Sequence, residues 1–199
     1  MTKVLSYLFA AAGLAALLCW AVLFFGARIY QHKKMDEFTR SAQLRPMAAP
    51  KKSAPDKTDT PTYPSEGSGV AILKIPRLGV SALVIEGADK RELALGPGHI
   101  PGTALPGGGG NIGIAAHRDT FFRPLRFIRP GDTVTLTSPE RELRYKVAFT
   151  KIVRPENVEV LSPTPREALT LVTCFPFYYV GAAPERFIVR AYCENCSER

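Results

Sequence analysis

A thiol, an imidazole and a guanidinium each sit on the outward-facing side of an alternating run in this 199-residue chain. In Ala168–Cys174, strict alternation puts Leu169, Leu171 and Thr173 on one face and Ala168, Thr170, Val172 and Cys174 on the other. With the leucines in the core, Cys174 points out. In Asn111–His117, Ile112 and Ile114 share one side. Gly113, Ala115 and His117 share the other, a face stripped of bulk as though something packs on it. Arg186 opens a third run and lies with Ile188 and Arg190, opposite Phe187 and Val189.

The three groups make a coherent chemical set. A free thiol titrates near about 8.5 and needs positive charge close by to become a good nucleophile. An imidazole can protonate a leaving amine. A guanidinium, which stays charged, can support an oxyanion or hold backbone carbonyls. Together they imply acyl transfer through a thioester, provided that folding brings the three strands together.

The rest of the domain must do that positioning. From about residue 67 to 192 the sequence is a string of short β-type runs separated by Gly and Pro: Val70–Ile75, Ala82–Ile85, Asn111–Ala116, Thr133–Thr137, Glu142–Ile152, Ala168–Cys174 and Arg186–Tyr192. In the fifth, Leu143, Tyr145, Val147 and Phe149 share a face opposite Arg144 and Lys146. That is a sheet with one wet face. Seven or eight such strands predict an all-β closed barrel or sandwich, with short helices over Asp89–Leu95 and Thr120–Phe127, the latter capped by Asp119 or Thr120.

The N-terminal part is different. Val4–Ala27 carries no charged side chain over 24 residues, which as a helix spans roughly 36 Å, enough for a bilayer core of about 30 Å. Phe25 stands where a signal-peptidase site needs a small residue, so an uncleaved transmembrane anchor is expected. Trp20 lies well inside the run and reads as a lipid or packing contact. Residues 1–3 are a short tail. Residues 28–66 are rich in Pro, Lys, Ser and Thr and read as a tether reaching about 35 Å as a coil, or ~130 Å if stretched. Lys3 before the run against Arg28, Lys33 and Lys34 after it would place the C-terminal flank in the cytosol.

The formal charge of +8 is spread along strands and turns without an aromatic-interleaved stripe, which argues against nucleic acid as a partner.

The strand ending in the cysteine carries a family resemblance. Thr170-Leu171-Val172-Thr173-Cys174 matches the Thr-Leu-x-Thr-Cys signature of sortases, membrane-anchored cysteine transpeptidases of bacterial surfaces. The histidine of Ile114-Ala115-Ala116-His117-Arg118-Asp119 and the arginine of Pro184-Glu185-Arg186-Phe187-Ile188-Val189 fall in the same order. Gly98-His99-Ile100-Pro101-Gly102-Thr103 and the stretch from His117 to Leu125 look most like class D. Ala116 stands where the family often has Gly.

The resemblance implies a closed eight-stranded β-barrel over residues 67–192, outside the cell membrane despite the flanking charges, with a tail at 193–199. It implies Cys174 as nucleophile, His117 as general acid then base, and Arg186 as oxyanion and peptide support. It also implies no cofactor. The expected substrates are surface proteins with a Leu-Pro-x-Thr-Gly-like signal, and the expected acceptor is an amine of peptidoglycan or a pilin-type lysine. Thioester hydrolysis and a non-catalytic peptide-binding barrel are the rivals.

Other residues read more plainly. His99 is expected to be a solvated or loop-packing histidine, Asp119 a cap, and Arg190 a wet side chain. Cys193-Glu194-Asn195-Cys196 lacks the second pair that a zinc site needs and reads first as an incidental tail, with a local or interchain disulfide as alternatives. Gly107–Gly110 reads as a flexible hairpin connection, and no acidic run suggests a calcium site.

Overall fold

The computed structural model describes residues 2–44, 64–179 and 181–196. Eight strands follow a long N-terminal helix: α1 (Thr2–Leu44), β1 (Gly69–Ile75), β2 (Val80–Glu86), α2 (Lys90–Leu95), β3 (Gly98–His99), β4 (Asn111–Ala115), β5 (Thr133–Thr137), β6 (Glu142–Val153), β7 (Ala168–Phe175) and β8 (Glu185–Cys193). The sheet closes in the order β1-β2-β3-β4-β7-β8-β6-β5, so the expected closed eight-stranded barrel forms and the sandwich does not. Only β2–β3 and β4–β7 are parallel; the other neighbours are antiparallel.

Alternation fills the barrel. Ile112, Ile114, Val134, Leu136, Leu143, Tyr145, Leu169, Leu171 and Val189 are buried in one core with Phe122 and Leu125. Burying a side chain of this size contributes about 1.5–3 kcal/mol, so these residues drive closure.

Several expectations change. Phe149 does not share the buried face of Tyr145 and Val147. The β6–β8 register shifts between Val147 and Phe149, and this bulge leaves Phe149 43% exposed. The helix expected over Thr120–Phe127 is a 3-10 turn over Arg123–Phe127, without a side-chain cap from Asp119 or Thr120. Pro124 sits at its start, where it cannot serve a longer helix. β8 extends through Cys193, one residue into the expected tail. Cys193 and Cys196 form a disulfide, so the tail is not incidental: the turn folds back on β6, with Asn195 Oδ1 accepting from Arg144 N and its Nδ2 donating to Glu142 O.

The N-terminal segment departs most from expectation. α1 runs to Leu44 through the first 17 residues of the expected tether, where Pro46 is the first proline. Without Pro or Gly between Ala27 and Leu44, nothing in the sequence breaks the helix. Residues 45–63 lie outside the described residues, as does the side chain of Trp20. Among the described residues, no helix is long and apolar enough to cross a membrane.

Candidate active site

Parallel pairing of β4 with β7 and antiparallel pairing of β7 with β8 put the chain segments that carry His117, Cys174 and Arg186 on three neighbouring strands. Cys174 and Arg186 are direct cross-strand partners on β7 and β8, which puts their Cβ atoms about 4.5–5.5 Å apart. On the other side the ladder pairs Ala115 with Val172, and the Ala116 N–H donates to Val172 O over 3.2 Å. His117 lies two residues beyond the last pair of that ladder, at the same end of the barrel as Cys174. The Thr173 hydroxyl donates to Ala116 O over 2.7 Å, tying β7 to the chain just before the histidine. Ala116 and Thr173 are both buried, so the strands beneath the rim are rigid.

The three side chains differ in access. His117 is exposed, while Cys174 and Arg186 are half-buried. Arg186 Nη1 donates to the carbonyls of Ala183 (3.2 Å) and Glu185 (3.0 Å), which holds the guanidinium at the mouth of the loop between β7 and β8. Arg118, next to His117, fixes that loop from the other side through Nη2 bonds to Tyr179 O (2.6 Å) and Gly181 O (3.1 Å). Behind the thiol, Phe175, Phe177 and Phe187 pack with ring centroids 5.3–6.3 Å apart. Both loops are thus pinned around the groups whose geometry matters.

Two residues along β7 from Cys174, Ala115, Val172 and Ile188 align across three strands as an apolar strip. One row further lie Gly113, Thr170 and Arg190. The expectation that something packs on the stripped face of β4 holds: a Cβ on Gly113 would stand 3.0 Å from Thr103 Cγ2 and 3.1 Å from Leu161 Cδ2. Leu161 ends a 3-10 turn, Val158–Leu161, that walls the groove. Three hydrogen bonds from two side chains hold that turn. Asn111 Nδ2 reaches Val160 O (3.0 Å) and Ser162 O (3.1 Å), and Arg190 Nη2 reaches Val160 O (2.7 Å).

Arg190 is therefore not a wet side chain. It is 8% exposed, and burial pulls its guanidinium down from the ordinary value. The β6–β7 connection, whose cover over β8 the strand alternation does not encode, buries it.

His99 also departs from its expected role. It is fully buried, with Nδ1 2.8 Å from Glu86 Oε2 and Nε2 3.0 Å from Ala104 O. Thr103 Oγ1 donates to Ile100 O, accepts from Gly113 N and lies 3.1 Å from Nε2. This histidine is a structural post under the loop beside β4. The only signal for it in the sequence was Glu86, 13 residues upstream on a strand whose pairing was unknown.

Elsewhere Glu66, Asp89 and Glu92 come together, as do Glu167, Cys193 and Cys196. A cavity of about 1200 Å³ lined by Arg141, Glu167, Tyr192 and Cys193 opens at the far end of the barrel. There burial and a bond to Glu167 push the Tyr145 phenol far above its ordinary value.

The comparisons with known proteins agree with this geometry. A family model described as a sortase domain matches residues 73–194. Sortase D of Bacillus subtilis is 35% identical over 127 residues, covering 63% of this chain and 64% of that protein. Sortase SrtE1 of Streptomyces coelicolor is 36% identical over 129 residues, covering 55% of this chain and 37% of that protein. The chain thus spans less than two thirds of the length of each. A Clostridium perfringens sortase D5 transpeptidase superposes with a TM-score of 0.68 at 26% identity, covering 83% of this chain and 99% of that one. A C. perfringens sortase C solved with the C-terminal cell wall sorting motif superposes with a TM-score of 0.60 at 28% identity, over 65% of this chain and 72% of that one. With the domain model, the barrel order and the strand-end cysteine all in agreement, this chain belongs to the sortase family.

Proposed function

We propose that the chain is a cysteine transpeptidase of the class D type, held in the cell membrane by Val4–Ala27 with its barrel on the outer side. Its substrates are surface proteins that carry a Leu-Pro-x-Thr-Gly-like signal. The observation that supports the reading is the cross-strand pairing of Cys174 with Arg186, with His117 two residues past the end of the neighbouring strand β4. The likeness to Sortase D supports the class.

The steps follow from the groups present. Cys174 Sγ, as thiolate, attacks the carbonyl carbon of the Thr–Gly-type bond. Arg186 is beside the thiol and supports the negative oxygen of the tetrahedral species, a role in which a fixed cation acts without giving up a proton. His117 donates a proton to the departing amine as the C–N bond breaks, leaving a thioester on Cys174. An incoming amine, from peptidoglycan or a pilin-type lysine, then attacks the thioester. His117 takes its proton, the new amide forms and Cys174 leaves as thiolate. No step requires a cofactor. The apolar strip of Ala115, Val172 and Ile188 suits the non-reacting residues of an extended apolar peptide.

Intact-mass spectrometry of the protein with candidate signal peptides tests this. An acyl adduct on Cys174 that moves to an added amine is the expected result. Turnover that persists in Cys174→Ala would overturn it. An adduct that goes only to water would reduce the activity to hydrolysis.

A further inference from the structure

The C-terminal half of α1 does not stand off from the barrel; it is built into it. Gln31 is 6% exposed and its amide is used fully: Nε2 donates to Leu83 O (3.3 Å) and Leu95 O (2.9 Å), and Oε1 accepts from Leu83 N (2.8 Å). The reason lies in the sheet. β3 is two residues long and pairs with β2 only at Ile85 and Glu86, which leaves the backbone edge of Leu83 uncovered. The Gln31 side chain, one donor and one acceptor on a single planar group, supplies the missing strand's bonds.

Met35 and Phe38 lie one and two turns further along the same helix face and pack against Ile72, Leu83, Ile85 and Leu95. Two glycines shape the seat. A Cβ on Gly96 would fall 2.1 Å from Gln31 Nε2, and one on Gly69 would fall 2.9 Å from Phe38 Cδ2. The other half of the helix is bare: Tyr7, Phe9, Leu14, Leu17 and Leu18 are 59–73% exposed. One continuous helix thus carries exposed apolar residues from Tyr7 to Leu18, among the described residues, and a stretch from Gln31 to Phe38 docked on the barrel.

We propose that α1 is a strut that seats the barrel on the bilayer surface, so that the enzyme serves membrane-held substrates whose sorting signal lies close to the lipid headgroups. This rests on the anchor reading of Val4–Ala27 given above. From Ala27 to Gln31 is four residues, about 6 Å of helix rise. Each headgroup layer is about 5–8 Å thick. Gln31, with Leu83 and Leu95 bonded to it, therefore sits at the outer edge of the headgroups. The tether of up to ~130 Å expected from composition has no such length to extend, because its first 17 residues are helix and that helix returns to the barrel.

Energy transfer in vesicles tests the seating. The full chain with Cys19→Ser carries a donor dye on Cys174 and is reconstituted into phosphatidylcholine–phosphatidylglycerol vesicles with acceptor-labelled headgroups. Gln31→Ala/Phe38→Ala and Gly96→Val release the seat. The barrel is then joined to α1 only through the chain and no longer by side-chain contacts. High transfer in the parent and a several-fold lower efficiency in the released variants is the expected result.

Equal transfer in parent and variants, with all of them floating with the vesicles, overturns the seating and leaves the anchor intact. A parent that does not float overturns the anchor reading and the seating with it. Turnover of vesicle-tethered peptides gives a second measure. The parent should favour a signal on a short spacer over one on a long spacer, and the released variants should lose that preference while cleaving a soluble peptide at the parent rate. The same preference in parent and variants overturns the proposal.

Discussion

His117 and His99 lie 18 residues apart in one chain and show what the fold does with the same side chain. His117 is exposed at the barrel rim, and among the described residues neither of its ring nitrogens has a hydrogen-bond partner. His99 is fully buried, and both of its nitrogens are engaged. Ala104 O can only accept, so Nε2 of His99 carries a hydrogen. The proton between Nδ1 and Glu86 is then shared within one sealed pair. A histidine in that state has nothing left to exchange with a substrate. The free one does. Openness of the bonding capacity, more than residue type, separates the side chain proposed for catalysis from the structural one.

The largest test of that contrast is at the rim. Cys174→Ala removes the nucleophile and should lower acyl transfer at least about 10³-fold, and His117→Ala about 10²–10⁴-fold, both with the melting temperature almost unchanged. Steady-state turnover of a signal peptide, read beside a thermal melt, checks both. A rim variant that loses stability in proportion to its activity would break the comparison.

The second test is at the buried pair. Glu86→Gln or His99→Leu removes one partner of a hydrogen-bonded pair in which both side chains are at most 7% exposed. Leaving one buried polar partner unsatisfied costs about 1–3 kcal/mol. Denaturant unfolding should show that loss, while turnover per folded molecule stays near the parent value. If His99→Leu instead kept its stability and lost the reaction, the assignment of roles would be reversed.

How much of this was legible in the sequence follows from the same physics. Alternation needs only the run itself, so the outward placement of Cys174, His117 and Arg186 could be read before any strand partner was known. Leu169, Leu171 and Thr173, at 0–2% exposure, lie on the inward side that the run predicts. The sortase resemblance supplied the closed eight-stranded barrel, while which strands are neighbours came only with the structure. What depends on distant cover was not legible. Thr170, on the outward face beside Cys174, is 0% exposed because Asn111 and the 158–161 turn close over it. Gln31 finds its partners 52 residues away, across a proline-rich stretch that composition alone assigns to a tether. β3 is too short to show a period at all, and the bulge at residue 148 reverses the phase of Phe149 without any local mark in the sequence.

A third, smaller effect separates positioning from chemistry. Arg190 lies on the same strand face as Arg186 but is bound to Val160 O, with its Nε buried and unbonded among the described residues. Arg190→Met keeps the packing and frees the 158–161 turn. The KM for a signal peptide should rise several-fold with kcat little changed, because the turn walls the groove and touches no reacting atom. A fall in kcat equal to that of Arg186→Met would give both arginines the same role.

The smallest effect compares the sealed pair with a half-open one. Asp132 accepts two bonds from Arg77 and one from Arg129 N, while the Arg77 side chain is 43% exposed. Hydrogen bonding to Arg77 holds the Asp132 carboxyl below its ordinary value of 3.8, against an opposing effect of burial. A lowered folded value means that the stabilisation is complete above about 3.8 and is lost as the pH falls below it, through the folded-state value. Water reaches Arg77 and screens the pair, so Asp132→Asn should lower the melting temperature by only a few degrees at pH 7, well short of Glu86→Gln. In the parent protein that increment should disappear on acidification below pH 3.8, so that parent and variant melt together there. A gap that persists into acid would mean that Asp132 works through packing, and that solvent access does not account for the difference between the two pairs.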